Sequence, residues 1–222
     1  MILSQSEQES LCLYVANQLN AFFPDENPVL PKFLLSFLSQ TLERVEYCFS
    51  HIADRYFFDG NNVLFSHLHG DQYGMFLYFF ANSLYRKGED TSICSKLFAL
   101  NKMLHGIDAF YEVELPDVFR WVHPLGTVLG RGNYCDYFLV YQRCGIGSNK
   151  NIYPRLGKFC SLHPGSSILG NCIIGDHCEL GAGALLLDQS LEENTLYVGV
   201  PGNFRKIRRE ANTSYWRNIP AQ

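Results

Sequence analysis

The sequence predicts an α+β chain: an N-terminal α-helical domain at residues 1–115, a parallel β-helix of hexapeptide repeats at 116–202 and a basic tail at 203–222. Two observations carry this reading. An apolar residue returns every six positions, as Val122, Val128, Tyr134, Val140, Ile146 and Ile152 in one column and as Leu156, Leu162, Ile168, Ile174, Leu180 and Leu186 in a second. Before residue 116 the apolar residues instead follow helical spacing, interrupted by prolines. A period of six matches neither the roughly 3.6 residues of a helical turn nor the alternation of a lone strand. Each hexad is therefore a short extended segment plus a corner, stacked on the next.

Four residues after each member of the second column stands a small one, Cys160, Ser166, Cys172, Cys178 and Ala184. The large residue fills the inside of a coil and the small one lets the neighbouring wall approach. Gly157, Gly175 and Gly181 are expected to permit the turns. The step from Ile146 to Leu156 is ten residues rather than six, so four residues leave the coil somewhere in 148–155. That loop is the first place to look for acceptor contacts, because insertions in solenoids commonly shape the binding face.

The helical half begins with Leu11, Leu13, Tyr14, Val15 and Leu19 on one face, followed by Pro24, Pro28 and Pro31. Helices are expected over 32–48, over 71–85 with a stop at Lys87-Gly88, and over 95–105 closing at Gly106. Their aromatic residues are expected to form core and inter-subunit contacts. Pro116 disfavours helix at Leu115 and makes Leu115-Pro116-Asp117 the bridge into the solenoid.

Composition bounds the function. The 222 residues are 47% hydrophobic and 18% charged, with a formal charge of −4 and no long basic run, which argues against a nucleic-acid surface. Met1 to Phe23 lacks the basic leader and apolar core of a signal peptide, and the apolar run Met75 to Ala81 falls far short of the about 20 residues of a membrane span. A cytoplasmic protein is expected. Of the eight cysteines, Cys144, Cys160, Cys172 and Cys178 fall at the small inward position and no C-x-x-C pair occurs, so packing rather than metal or disulfide is the expected use.

The order of a helical domain, Val122-His123-Pro124, Gly130-Arg131-Gly132, hexads, and Val198-Gly199-Val200-Pro201-Gly202 resembles the serine acetyltransferase group of the left-handed β-helix acyltransferases over roughly residues 65–210. His69-x-x-Gln72 before an aromatic helix is similar to the last helix of that family's N-terminal domain. The resemblance implies a left-handed β-helix and a homotrimer with acetyl-CoA in the groove between subunits, as a substrate and without metal. It also implies pairing of trimers through the helical domain. The family engages cysteine synthase through a terminal isoleucine, whereas this chain reads Ile219-Pro220-Ala221-Gln222, which argues against that contact.

Acetyl transfer from a thioester to a hydroxyl needs a base beside the hydroxyl and donors aimed at the oxyanion. Here the chain departs from the family. The aspartate of the family's D-I-H-P is Trp121, its L-D-H is Cys135-Asp136-Tyr137, and its H-P-K is Tyr153-Pro154-Arg155. Letter matching puts Tyr137 at the family's base position and hexad phase puts Asp136 there; neither is an imidazole. His123 is the leading candidate base, with a structural corner histidine as the alternative, and Asp136 or Tyr137 would orient base or acceptor. Gln142, Tyr153, Arg155 and His69 are the candidate acceptor ligands, Arg155 suiting a carboxylate. His67 and His69, with Asp71 nearby, could approach from above, while His163 and His177 are expected on the surface.

For the donor, Gly181-Ala182-Gly183 offers a smooth strip for a pantetheine arm, Gly199 and Pro201 close the β-helix, and Arg205, Lys206, Arg208 and Arg209 supply positive charge for the coenzyme A phosphates. A solvated charged tail is the alternative for those cations. The expected activity is acetyl-CoA-dependent O-acetylation of a small molecule or sugar, with serine O-acetylation and a non-catalytic trimeric scaffold as alternatives.

Overall fold

In the computed structural model, which describes residues 2–218, four helices are followed by a left-handed parallel β-helix. The helices are α1 (Gln5–Phe22), α2 (Pro31–Ser50), α3 (Gly70–Arg86) and α4 (Thr91–His105). Their ends follow local chemistry. Ser4 and Glu7 form a capping box on α1, Asp90 caps α4 through the Ser92 amide, and Gly106 ends α4 in the left-handed conformation. Leu13, placed on the inner face of α1 by the sequence, is 52% exposed, because the buried stripe runs through Leu11, Val15 and Leu19.

The aromatic helix α3 is buried from Gln72 to Leu84, since α2 and α4 flank it and the first coil of the solenoid lies against it. Phe79 packs on Phe119 at 5.1 Å and Tyr78 on Trp121 at 5.9 Å. The Tyr78 hydroxyl donates to the Val113 carbonyl and accepts from the Leu115 amide, so the bridge is held to the helical domain.

The solenoid has three faces. The first contains β1 (Asp108–Ala109), β3 (Val128–Leu129), β5 (Gly145–Gly147), β8 (Ser167–Leu169) and β11 (Leu185–Leu187), and the second β2 (Phe119–Trp121), β4 (Phe138–Val140), β7 (Ser161–Leu162), β10 (Glu179–Leu180) and β12 (Thr195–Val200). The third carries β6 (Arg155–Leu156) and β9 (Ile173–Ile174), extended by the bridges Asn133–Arg155 and Ile174–Leu191. β13 (Asn203–Arg208) returns antiparallel to β12, so strand pairing starts at Asp108, ahead of the bridge, and ends inside the segment read as a tail.

Register shows which residues fill the coils. Trp121, Val140, Leu162, Leu180 and Tyr197 pair in one inward row, and Ala109, Leu129, Ile146, Ile168 and Leu186 in another. The second sequence column is thus entirely inward. The first is corrected at three places: Val128 is 48% exposed because Leu129 takes the inward position, Val122 yields to the fully buried Trp121, and Ile152 stands 47% exposed in the loop. The corner after Trp121 is longer than a regular hexad corner and resets the phase.

The four-residue insertion is a tight turn at Asn149–Ile152, closed by reciprocal backbone bonds with Lys150 and Asn151 both at positive φ. Gly157, Gly175 and Gly181 do not sit at positive φ. They are glycine because the next coil is too close: a Cβ on Gly175 would lie 2.5 Å from the Glu193 amide nitrogen. The small inward positions Cys144, Cys160, Ser166, Cys172, Cys178 and Ala184 are all buried.

Candidate active site

Each coil turns from the second face into the first at one edge, and this edge gathers His123-Pro124, Gln142-Arg143, His163-Pro164-Gly165 and Gly181-Ala182-Gly183. Rung bonds fix the stacking: Arg143 N donates to Leu125 O at 2.9 Å, Gly165 N to Gln142 O at 3.0 Å and Gly183 N to Pro164 O at 2.9 Å. His123 has a positive φ and a side chain 78% exposed. Its amide donates to both carboxylate oxygens of Asp71 at 3.2 Å, while its Nδ1 lies 3.9 Å from Asp71. His69 caps α3, accepting from the Gln72 amide at 3.5 Å, and its ring contacts Tyr56 and Phe57. His69 and His123 thus both meet the first turn of α3, at Gln72 and Asp71.

His163 is not a free surface residue. Its Nε2 lies 3.4 Å from Glu179 Oε2, its ring stacks on Tyr141 at 5.5 Å, and the paired side chains are 26% and 18% exposed. The His163 hydrogen bond holds the Glu179 carboxyl below the usual carboxylate range against the opposing effect of burial, and Asn212 Nδ2 donates to its other oxygen at 3.3 Å. Sequence reading missed this pair because the two residues are 16 apart and belong to adjacent rungs. The signal was present in hexad phase, which puts Glu179 one step before Leu180 and His163 one step after Leu162.

Asp136 and Tyr137 stand at the edge where the third face becomes the second. Asp136 Oδ1 accepts from the Val118 amide at 3.0 Å, so this carboxylate clamps backbone. Tyr137 is buried, and burial pushes its phenol above the ordinary value, with Tyr47 adding to the effect. Tyr153 and Arg155 are exposed where the third face begins, beside the inserted turn. The structure thus divides the candidate acceptor residues among separate edges of one chain.

The C-terminal segment crosses the second face. Asn212 reaches Glu179, Tyr215 bonds Tyr141 through its side chain, and Trp216 packs edge-on against Tyr137 at 5.5 Å. It docks on the helical domain: Ala53 N donates to Tyr215 O and Arg217 N to His51 O, both at 2.9 Å. Ile219 to Gln222, which carried the expectation about cysteine synthase, lie outside the described residues.

Of the donor candidates, Gly181 lies against Val198, and Gly199 and Pro201 shape the β12–β13 hairpin, Gly199 at φ +103° with Asn203 O too close for any Cβ. Arg205, Lys206 and Arg208 occupy β13 rather than a free tail, and Arg209 follows it with its amide bonded to Asn194 O at 2.8 Å. Strand alternation puts Lys206 and Arg208 on one side and Arg205 on the other. Lys206 and Arg208 line a cleft of about 600 Å³ with Ile173, Ser190 and Leu191, where Lys206 Nζ donates to Ser190 O at 2.9 Å.

The bacterial transferase hexapeptide (six repeats) family matches residues 153–188, the part of the solenoid with unbroken hexad phase. Over this stretch the chain is similar to the hexapeptide-repeat transferases, and the relatives it resembles are serine acetyltransferases. It is 31% identical to a serine acetyltransferase of Staphylococcus epidermidis over 120 residues, covering 45% of this chain and 55% of that one. It is 30% identical to one of Synechococcus elongatus, covering 46% and 44%. The chain thus spans about half the length of the curated relatives it matches.

Solved serine acetyltransferase structures extend the likeness in fold to the helical domain. A serine acetyltransferase in complex with CoA superposes with a TM-score of 0.69 at 17% identity, covering 89% of this chain and 83% of that one. The Neisseria gonorrhoeae serine acetyltransferase gives 0.72 at 18%, covering 94% and 82%.

Proposed function

We propose that this protein is an acetyl-CoA-dependent O-acetyltransferase whose acceptor is the hydroxyl of serine. The observation that supports it is the joint likeness of helical domain and solenoid to serine acetyltransferases, one of them in complex with CoA. The matched relatives in Staphylococcus epidermidis and Synechococcus elongatus carry the same name. These relatives favour serine over the sugar or other small hydroxylated acceptor suggested by the altered histidines.

In this reading the pantetheine arm lies along Gly181-Ala182-Gly183, where the space above Gly183 is open. Lys206 and Arg208 supply charge for the coenzyme phosphates, and Arg205 serves a different surface. The active unit is a homotrimer, whose neighbouring subunits bring edges that are separate in one chain to a shared groove. The protein would work in the cytoplasm; among the described residues no helix is long and apolar enough to cross a membrane.

A second reading, a non-catalytic scaffold, is favoured by one observation: Tyr137, which letter matching puts at the position where the resemblance implies an imidazole, is buried and packs edge-on against Trp216. Measuring free CoA released from acetyl-CoA with serine, nucleotide sugars and oligosaccharides separates the readings. Serine-dependent release is expected. Release only with sugars would overturn the acceptor, and binding of acetyl-CoA without release for any acceptor would establish the scaffold.

A further inference from the structure

We propose that His163 is the general base of the acyl transfer, with Glu179 orienting its ring and Gln142 holding the acceptor; this rests on the transferase reading above. The repeat itself singles out His163. Leu162-His163-Pro164-Gly165 and Leu180-Gly181-Ala182-Gly183 occupy the same positions in consecutive coils, since Leu162 pairs with Leu180. An imidazole therefore replaces the hydrogen-atom side chain of the strip along which the thioester arm is placed, one rung or about 4.8 Å away.

The surroundings suit a base. Nε2–H of His163 donates to Glu179 Oε2 at 3.4 Å, which fixes the tautomer and leaves the free electron pair on Nδ1. The ring is braced by Tyr141 and partly shielded from water, whereas His123 is 78% exposed and its Asp71 already holds the His123 backbone amide. One coil above, Gln142 Oε1 is buried and has no hydrogen-bond partner among the described residues. A buried carbonyl oxygen without a donor is unfavourable, and the ammonium or hydroxyl of an amino-acid acceptor supplies one.

The step balances as follows. The acceptor hydroxyl oxygen attacks the thioester carbonyl carbon while its proton passes to His163 Nδ1, forming the C–O bond and a tetrahedral oxyanion. Collapse breaks the C–S bond, and the leaving sulfur takes the proton back from the imidazolium, giving the ester and free coenzyme A. The charged and titratable groups around the ring are Glu179 on β10, Tyr141 after β4, and Tyr215 and Arg209 from the C-terminal segment, with Arg120 of β2 acting on Tyr141.

The experiment follows CoA release from acetyl-CoA and serine against pH in the full-length protein and in His163→Gln, His163→Gly, Glu179→Gln, Gln142→Ala and His123→Ala. His163→Gly copies the rung below and keeps the test independent of any folding defect in the glutamine variant. Expected are a kcat about 10²- to 10⁴-fold lower in both His163 variants, little change in KM for acetyl-CoA, and loss of the ascending limb that wild type shows as an imidazole deprotonates. Glu179→Gln should move that limb to lower pH, and Gln142→Ala should raise KM for serine about tenfold. Retention of kcat and of the limb in both His163 variants would overturn the proposal while leaving the transferase reading intact. Loss of the limb in His123→Ala alone would return the role to His123. A wild type that releases no CoA with any acceptor would remove the transferase reading and this assignment with it.

Discussion

Tyr137 and Phe159 stack with ring planes 1° apart and centroids 4.3 Å apart, and Phe159 stacks in turn on His177 at 4.5 Å and 5°. All three have positive φ, a conformation costly for side-chain-bearing residues by about 1–2 kcal/mol each. The rings stack because the coils do: each takes the same corner position one turn further along. Phe159→Ala keeps the strained backbone and removes the middle ring, so a loss of about 3 kcal/mol is expected. Urea denaturation with an unchanged m-value is the check; a change under 1 kcal/mol would mean that the stack contributes little.

Close approach rather than turn geometry makes Gly175 glycine, because a Cβ there would meet backbone of the next coil. Gly175→Ala should lower stability by about 2–3 kcal/mol, as overpacking does. Gly183→Ala, where nothing lies within 4 Å but φ is +69°, should cost only about 1 kcal/mol. Thermal melts of the two variants should rank in that order, and equal losses would contradict it.

All eight cysteines are free thiols, and only Cys135 is exposed. Burial pushes Cys12 and Cys48 up to about 12 and the Cys160 thiol higher still. A thiol-exchange reagent at pH 8 should therefore modify one group in the folded protein and all of them in denaturant. Mass spectrometry locating the first adduct anywhere but Cys135 would count against this packing.

The Glu179 carboxyl, lowered chiefly by its bond from His163, links stability to pH. A carboxylate with a depressed folded-state pKa stabilises fully above its unfolded value of about 4.3 and loses that contribution as pH falls through the folded pKa. Urea midpoints between pH 6 and pH 3 should decline more steeply for wild type than for Glu179→Gln, and parallel curves would exclude the linkage.

Much of the architecture was legible because the second hexad column has no interruption: from Leu156 to Leu186 every residue assigned inward is inward. The first coil was misread at Val122 and Val128, where a long corner at His123-Pro124 shifts the phase and the aromatic Trp121 takes the interior. The inserted turn was bracketed correctly by counting from Ile146 to Leu156, although its compact form depends on Lys150 and Asn151 adopting left-handed backbone. The site was less legible. Side chains from adjacent rungs meet only after winding, so His163 and Glu179 carry no local motif, and the placement of Trp216 over Tyr137 joins segments far apart in sequence.

The hydrogen bond from Asn218 to Ser50, spanning 168 residues, together with the Ile52–Trp216 bridge, makes the polypeptide a closed ring. Such a closure is entropically expensive to form early and forms most readily once both halves are in place. Loosening the docked C-terminal segment and fraying the end of α2 then become a single event, so the amides of Ala53 and Arg217 should exchange with solvent at a common rate.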